Sequence, residues 1–63
     1  MDDPQLFSDH DKLKAVEREL ALRRAVYPRW VAQGRLKAAA AGAEIAVMVA
    51  IRDDYLRRLN GAH

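Results

Sequence analysis

The run "IAVMVAI", Ile45 to Ile51, is apolar on every side of any helix it forms, and a helix of that kind must be covered all round. A chain of 63 residues has little interior in which to cover it. With no Cys in the chain, disulfides cannot reinforce so small a core, which also fits a reducing compartment. With only His10 and His63 as soft ligands, no structural zinc is expected. Self-association or a partner remains as the reinforcement. Read back through "AAAAGA" and across Glu44, the run from Ala38 to Ile51 covers 14 residues, short of the roughly 20 that a membrane helix needs. It is therefore expected to pack on protein, with no membrane partner.

Two helices account for the pattern around this run. Residues 1–7 form a flexible acidic leader, and residues 8–60 a helical hairpin domain with helices at 9–33 and 36–59. "SDHD" offers Ser8 as N-cap with Asp11 three residues on, a capping-box arrangement. The following "DKLKAVERELALRRAV" has no Gly or Pro and favours helix. At helical spacing Leu13, Val16, Leu20, Tyr27 and Val31 share one stripe, while Ala15, Leu22, Val26 and Trp30 form a second strip nearly opposite. Because the stripe continues past Pro28, the first helix is expected to kink there and persist to about Gln33; a break at Pro28 is the alternative. Gly34 ends it. The second helix starts without a good N-cap and ends before Asn60-Gly61. It too has two faces, one with Leu36, Ala43, Val47, Ala50 and Ile51, the other with Ile45, Met48, Val49, Leu56 and Leu59. A hairpin satisfies one face of each helix. The expected architecture is thus an all-α antiparallel αα-hairpin that assembles with itself, even order favoured, into a helical bundle. Leu22, Val26, Ile45, Val47, Met48, Val49, Ile51 and Leu56 are the interface residues.

Charge is distributed unevenly. Residues 1–19 hold six acids against three bases, whereas Leu20 to Ala43 holds five bases and no acid. Arg23, Arg24, Tyr27, Arg29, Trp30, Arg35 and Lys37 therefore gather at the turn end of the hairpin. Arginine forks match phosphate geometry and aromatic faces stack on bases, so this set suits an anionic, nucleotide-like ligand. The competing reading makes Tyr27 and Trp30 core residues and leaves the arginines solvated or paired. Glu44, the only acid between Glu19 and Asp53, needs a basic partner; Arg24 or Arg35 of another subunit is expected.

The segments "VERELALRRAVYPRWVAQGRL" and "AEIAVMVAI" resemble a group of small phage and prophage helical-hairpin proteins. Those proteins share a V-x-R-E-[IL] helix, a V-Y-P-R-[WL]-V-x-x-G-[RK]-[ML] turn motif and a second helix with E-I-x-x-M. The resemblance spans Val16 to Ile51 and implies a phage-type accessory protein without an assigned activity, acting in the cytoplasm of a bacterial host. This chain departs from the pattern at "KAAAAGAE", where the group has a polar, charged helix start. By size and build alone there is also an analogy with oligomeric phage proteins that blunt host defence by sequestering nucleotide signals.

No catalytic set is expected. Ser8 is the only Ser, and Thr and Cys are absent, so no nucleophile–base constellation can form. The "DHD" at His10 sits at a helix start, where a solvated cap is the ordinary reading and a metal or acid–base role the rarer one. No Gly-rich phosphate loop is present, and the second helix is too apolar to lie in a DNA groove. The acidic first dozen residues do not read as a signal peptide. A non-enzymatic, cofactor-free binding protein is expected. Its alternative is an interaction scaffold, or an inhibitor of a host protein, with no small-molecule ligand.

Overall fold

The computed structural model describes residues 6–61 and contains two helices joined by a short turn. The first, α1, runs from Asp9 to Ala32. It begins where Ser8, in extended conformation, accepts from the Asp11 N–H at 3.0 Å while its own N–H donates to Asp11 Oδ2 at 3.2 Å. This reciprocal pair satisfies two of the donors that a helix start leaves open. Asp9 and Asp11 also place negative charge against the positive end of the helix.

The helix continues unbroken through Pro28. Lacking an N–H, Pro28 leaves the Arg24 carbonyl without its helical donor. Both residues lie on the exposed side, where water can take the donor's place. The end of α1 is a Schellman motif one residue before the expected boundary. Gln33 is the C-cap, Gly34 has φ 75°, the Gly34 N–H donates to the Val31 carbonyl at 3.0 Å, and the Arg35 N–H reaches the Trp30 carbonyl at 2.8 Å. Only glycine enters this left-handed conformation without cost.

The second helix, α2, runs from Ala38 to Leu59. It therefore starts two residues after the expected position 36. Lys37 has extended backbone and acts as the N-cap with its carbonyl alone, accepting from the Ala41 N–H at 2.9 Å. Leu36 and Lys37 belong to the turn. Asn60 caps the far end, and Gly61 (φ 76°) donates back to the Arg58 carbonyl at 3.2 Å.

A turn this short makes the helices antiparallel neighbours. Two ion pairs cross between the helices: Arg23 with Glu44 near the turn, and Arg58 with Asp9 at the open end (3.6 Å). The inner stripe of α1 is the expected one, with Leu13 and Leu20 buried and Val16, Tyr27 and Val31 half-buried. On α2 the inner side is Ala41, Ile45, Met48, Arg52 and Tyr55. Ala41 is buried and the others are half-buried. Ala41 is small enough to let the two backbones approach near the turn. Among the described residues only Leu13, Leu20 and Ala41 are buried. The molecule measures 44 × 25 × 18 Å, with a radius of gyration of 14.7 Å, where a compact fold of this length is expected near 11 Å. Two helices side by side form a slab with no enclosed core.

Candidate anionic-ligand site at the hairpin turn

The seven residues expected to form a ligand site divide into three groups. Arg23 is committed to the fold. Its Nε donates to Glu19 Oε2 at 2.8 Å one turn below, and its Nη1 donates to the Glu44 carbonyl at 3.0 Å and to Glu44 Oε1 at 3.1 Å. The hydrogen bond to Glu19 raises the guanidinium pKa above its ordinary value. Arg23 is thus a clasp between the helices rather than a free phosphate donor. Within the chain the base that meets Glu44 is Arg23, a partner the sequence reading did not name. Arg23 reaches it because its position on the flank of the inner stripe lies level with Glu44 in the antiparallel register.

Tyr27, Trp30 and Arg35 form a second group. The two rings lie with centroids 5.6 Å apart, tilted by 31°, and the Arg35 guanidinium sits 5.4 Å from the centre of the Trp30 ring. In a Schellman motif the residue after the glycine commonly contacts the residue that its N–H reaches. Here that contact is a cation over an indole face, with the ring quadrupole attracting the charge. Arg35 also approaches Gln33 Oε1 at 3.5 Å. Tyr27 is half-buried on the inner stripe, and Trp30 remains 36% exposed.

Arg24, Arg29 and Lys37 make up the third group. All are exposed, and none has an ion-pair partner among the described residues. Lys37 stands at the N-terminus of α2, where no side chain caps the first N–H groups and no acid occupies the first turn. A cation at the positive end of a helix opposes the macrodipole. Unused N–H groups beside the unpaired Lys37 suit an anion.

Neither family models, nor curated proteins, nor solved structures match this chain. The fold and the local geometry therefore carry the functional reading. Among the described residues no three His, Asp or Glu side chains come together to hold a metal ion, and no helix is long and apolar enough to cross a membrane.

The expected interface residues also divide. Ile45 and Met48 turn toward α1, with Val49 and Ile51 half-buried at the margins. Leu22, Val47 and Leu56 stay 55%, 48% and 36% exposed. The sequence reading missed an open groove of about 530 Å³ along the start of α1, lined by Phe7, Lys14, Ala15 and Arg18 among others. Its signal was an aromatic residue immediately before the N-cap, the position from which a side chain folds over the first turns.

Proposed function

We propose that this protein is a non-enzymatic binding protein that works as a homo-oligomer and presents its turn end to a phosphate-bearing, nucleotide-like ligand. The observation that carries the reading is the Tyr27–Trp30–Arg35 cluster at the turn end of the hairpin, an end that also holds three exposed cations, Arg24, Arg29 and Lys37, with no ion-pair partner among the described residues. In this reading Arg24, Arg29 and Lys37 contact phosphate, while Trp30 or Tyr27 supplies a face for a base. A bend of α1 at Pro28 belongs to the same proposal, since it would tilt the last turn and with it Arg29 and Trp30. The resemblance of the V-Y-P-R-W-V segment to small phage hairpin proteins supports a phage-type accessory role in a bacterial cytoplasm, with a host-defence signal as one candidate ligand. Oligomerisation is supported by the shortage of buried residues in the single chain.

Calorimetry of the purified protein against cyclic and linear nucleotides and short single strands tests the reading. Binding is expected at low salt and should weaken as salt rises. A charge-assisted contact contributes about 1.5–3 kcal/mol, so Arg29→Ala should weaken binding at least tenfold with sedimentation unchanged. The exposed Leu22 and Val47 favour a second reading, a protein-binding scaffold without a small ligand. Absence of any binding at low salt, or loss of assembly in Arg29→Ala, would decide for the scaffold.

A further inference from the structure

The open groove at the start of α1 lies apart from the turn, and its lining is basic. Lys14 and Arg18 stand on it one helical turn apart, together with Phe7 and Ala15. Both cations are exposed, and neither has an ion-pair partner among the described residues. The acid that lines the groove, Asp11, is tied into the helix cap, where its Oδ2 accepts from the Ser8 N–H at 3.2 Å. Like charges four residues apart repel along a helix, so the Lys14–Arg18 pair works against the element that carries it.

The same side of α1 leads from this groove to the turn. Arg18 and Arg29 are eleven residues apart, about three full helical turns, so they point the same way. Between them on that side stand Leu22 and Ala25, both exposed and uncharged. Glu17 and Glu19 lie about 100° to either side of Arg18, and Glu19 is already held by Arg23. Lys14, Arg18 and Arg29 therefore form a line of cations along the outer face that ends beside Trp30. We propose that a short single strand of nucleic acid lies along this face, with phosphates on Lys14, Arg18 and Arg29 and bases against Phe7 and Trp30. The inference rests on the turn-site reading above and deepens it, from a nucleotide-like ligand to an oligonucleotide.

Length and chemistry both favour this occupant. Lys14 to Arg29 spans about 22 Å of helix axis. A stacked strand advances about 3.4 Å per phosphate, so the face matches about six nucleotides rather than one. An aromatic ring stands at each end, Phe7 at 62% exposure in the groove and Trp30 at 36% beside the turn. Binding of single strands without regard to sequence combines a basic track with stacking faces of this kind. Two of the three cations are arginines, whose planar forks match phosphate oxygens. An acidic peptide would answer the charges and leave the rings without a role.

Fluorescence anisotropy of labelled thymidylate strands, from about two to about eight nucleotides long, tests this with the full chain at low salt. Affinity is expected to rise with length up to about six nucleotides and then level off. Arg18→Ala should weaken binding of the longest strand about tenfold and leave the shortest unchanged. It should also lower the slope of log affinity against log salt by about 0.7, the share of one single-strand phosphate contact. Phe7→Ala should weaken the longest strand with the salt slope unchanged. Circular dichroism of each variant separates a lost contact from a lost helix, and Lys14→Gln repeats the charge test at a second position. Equal affinity for the shortest and longest strands, with Arg18→Ala indifferent, would overturn the proposal and leave the turn site standing. Absence of binding at every length would overturn both. Displacement of the strand by polyglutamate of equal charge, with Phe7→Ala indifferent, would reject nucleic acid in favour of an acidic protein.

Discussion

Among the described residues Arg23 makes two hydrogen bonds across the helices. It joins Glu19 on its own helix to both the carboxylate and the main-chain carbonyl of Glu44 on the other. Truncating Glu44 removes one of those three acceptors, and its carbonyl survives the change. Truncating Arg23 removes all the contacts together with the aliphatic stem that packs beside the inner stripe. Asp53 and Asp54 pair with Arg52 and Arg57 on α2 itself, so their loss leaves the contact between helices intact. The expected order of destabilisation is Arg23→Ala, then Glu44→Ala, then Asp53→Ala and Asp54→Ala. Urea midpoints of the four variants check it, and equal midpoints for Glu44→Ala and the two Asp variants would show that the Glu44 carboxylate contributes nothing between the helices.

At the scale of the elements, the two helix starts contrast. The α1 start has a capping box and two acids in its first turn, whereas α2 has Lys37 and neither. Aspartate at an N-cap is a strong capping residue, typically worth about 1 kcal/mol over a non-capping one. Lys37→Asp is therefore expected to raise the stability of the fold by about 1 kcal/mol while weakening any anionic ligand at the turn, because it reverses a charge beside the site. Thermal unfolding and calorimetry on the same variant measure both quantities. If stability and binding change in the same direction, Lys37 serves the fold and not a ligand. A residue that opposes its own helix is explained by function more readily than by folding.

For the whole molecule, area decides. A slab of two helices with three buried residues among those described offers little core to set against the chain entropy lost on folding. If the missing burial comes from a second copy, folding and assembly are one equilibrium, and the midpoint of thermal unfolding must rise with protein concentration. Circular dichroism melts across the micromolar range check this. A midpoint independent of concentration, with a cooperative transition, would mean that the hairpin is sufficient alone.

Ser8 with Asp11, the long stretch free of Gly and Pro, and Gly34 at the first helix end were legible in the sequence because caps and breakers act within a few residues. The inner stripe of α1 was legible for the same reason, since its period is a local property of the helix. Tertiary structure alone decided which side of α2 faces inward, because a helix apolar all round has no period to reveal its orientation. It also decided that Arg23, and not Arg24 or Arg35, meets Glu44. Neighbouring arginines differ by about 100° around the helix, and only the register set by the Gln33–Lys37 turn determines which of them can cross. The turn cluster lies between these cases: sequence brought its cations and rings together, but the division into clasp, stack and unpaired charge required two helices side by side.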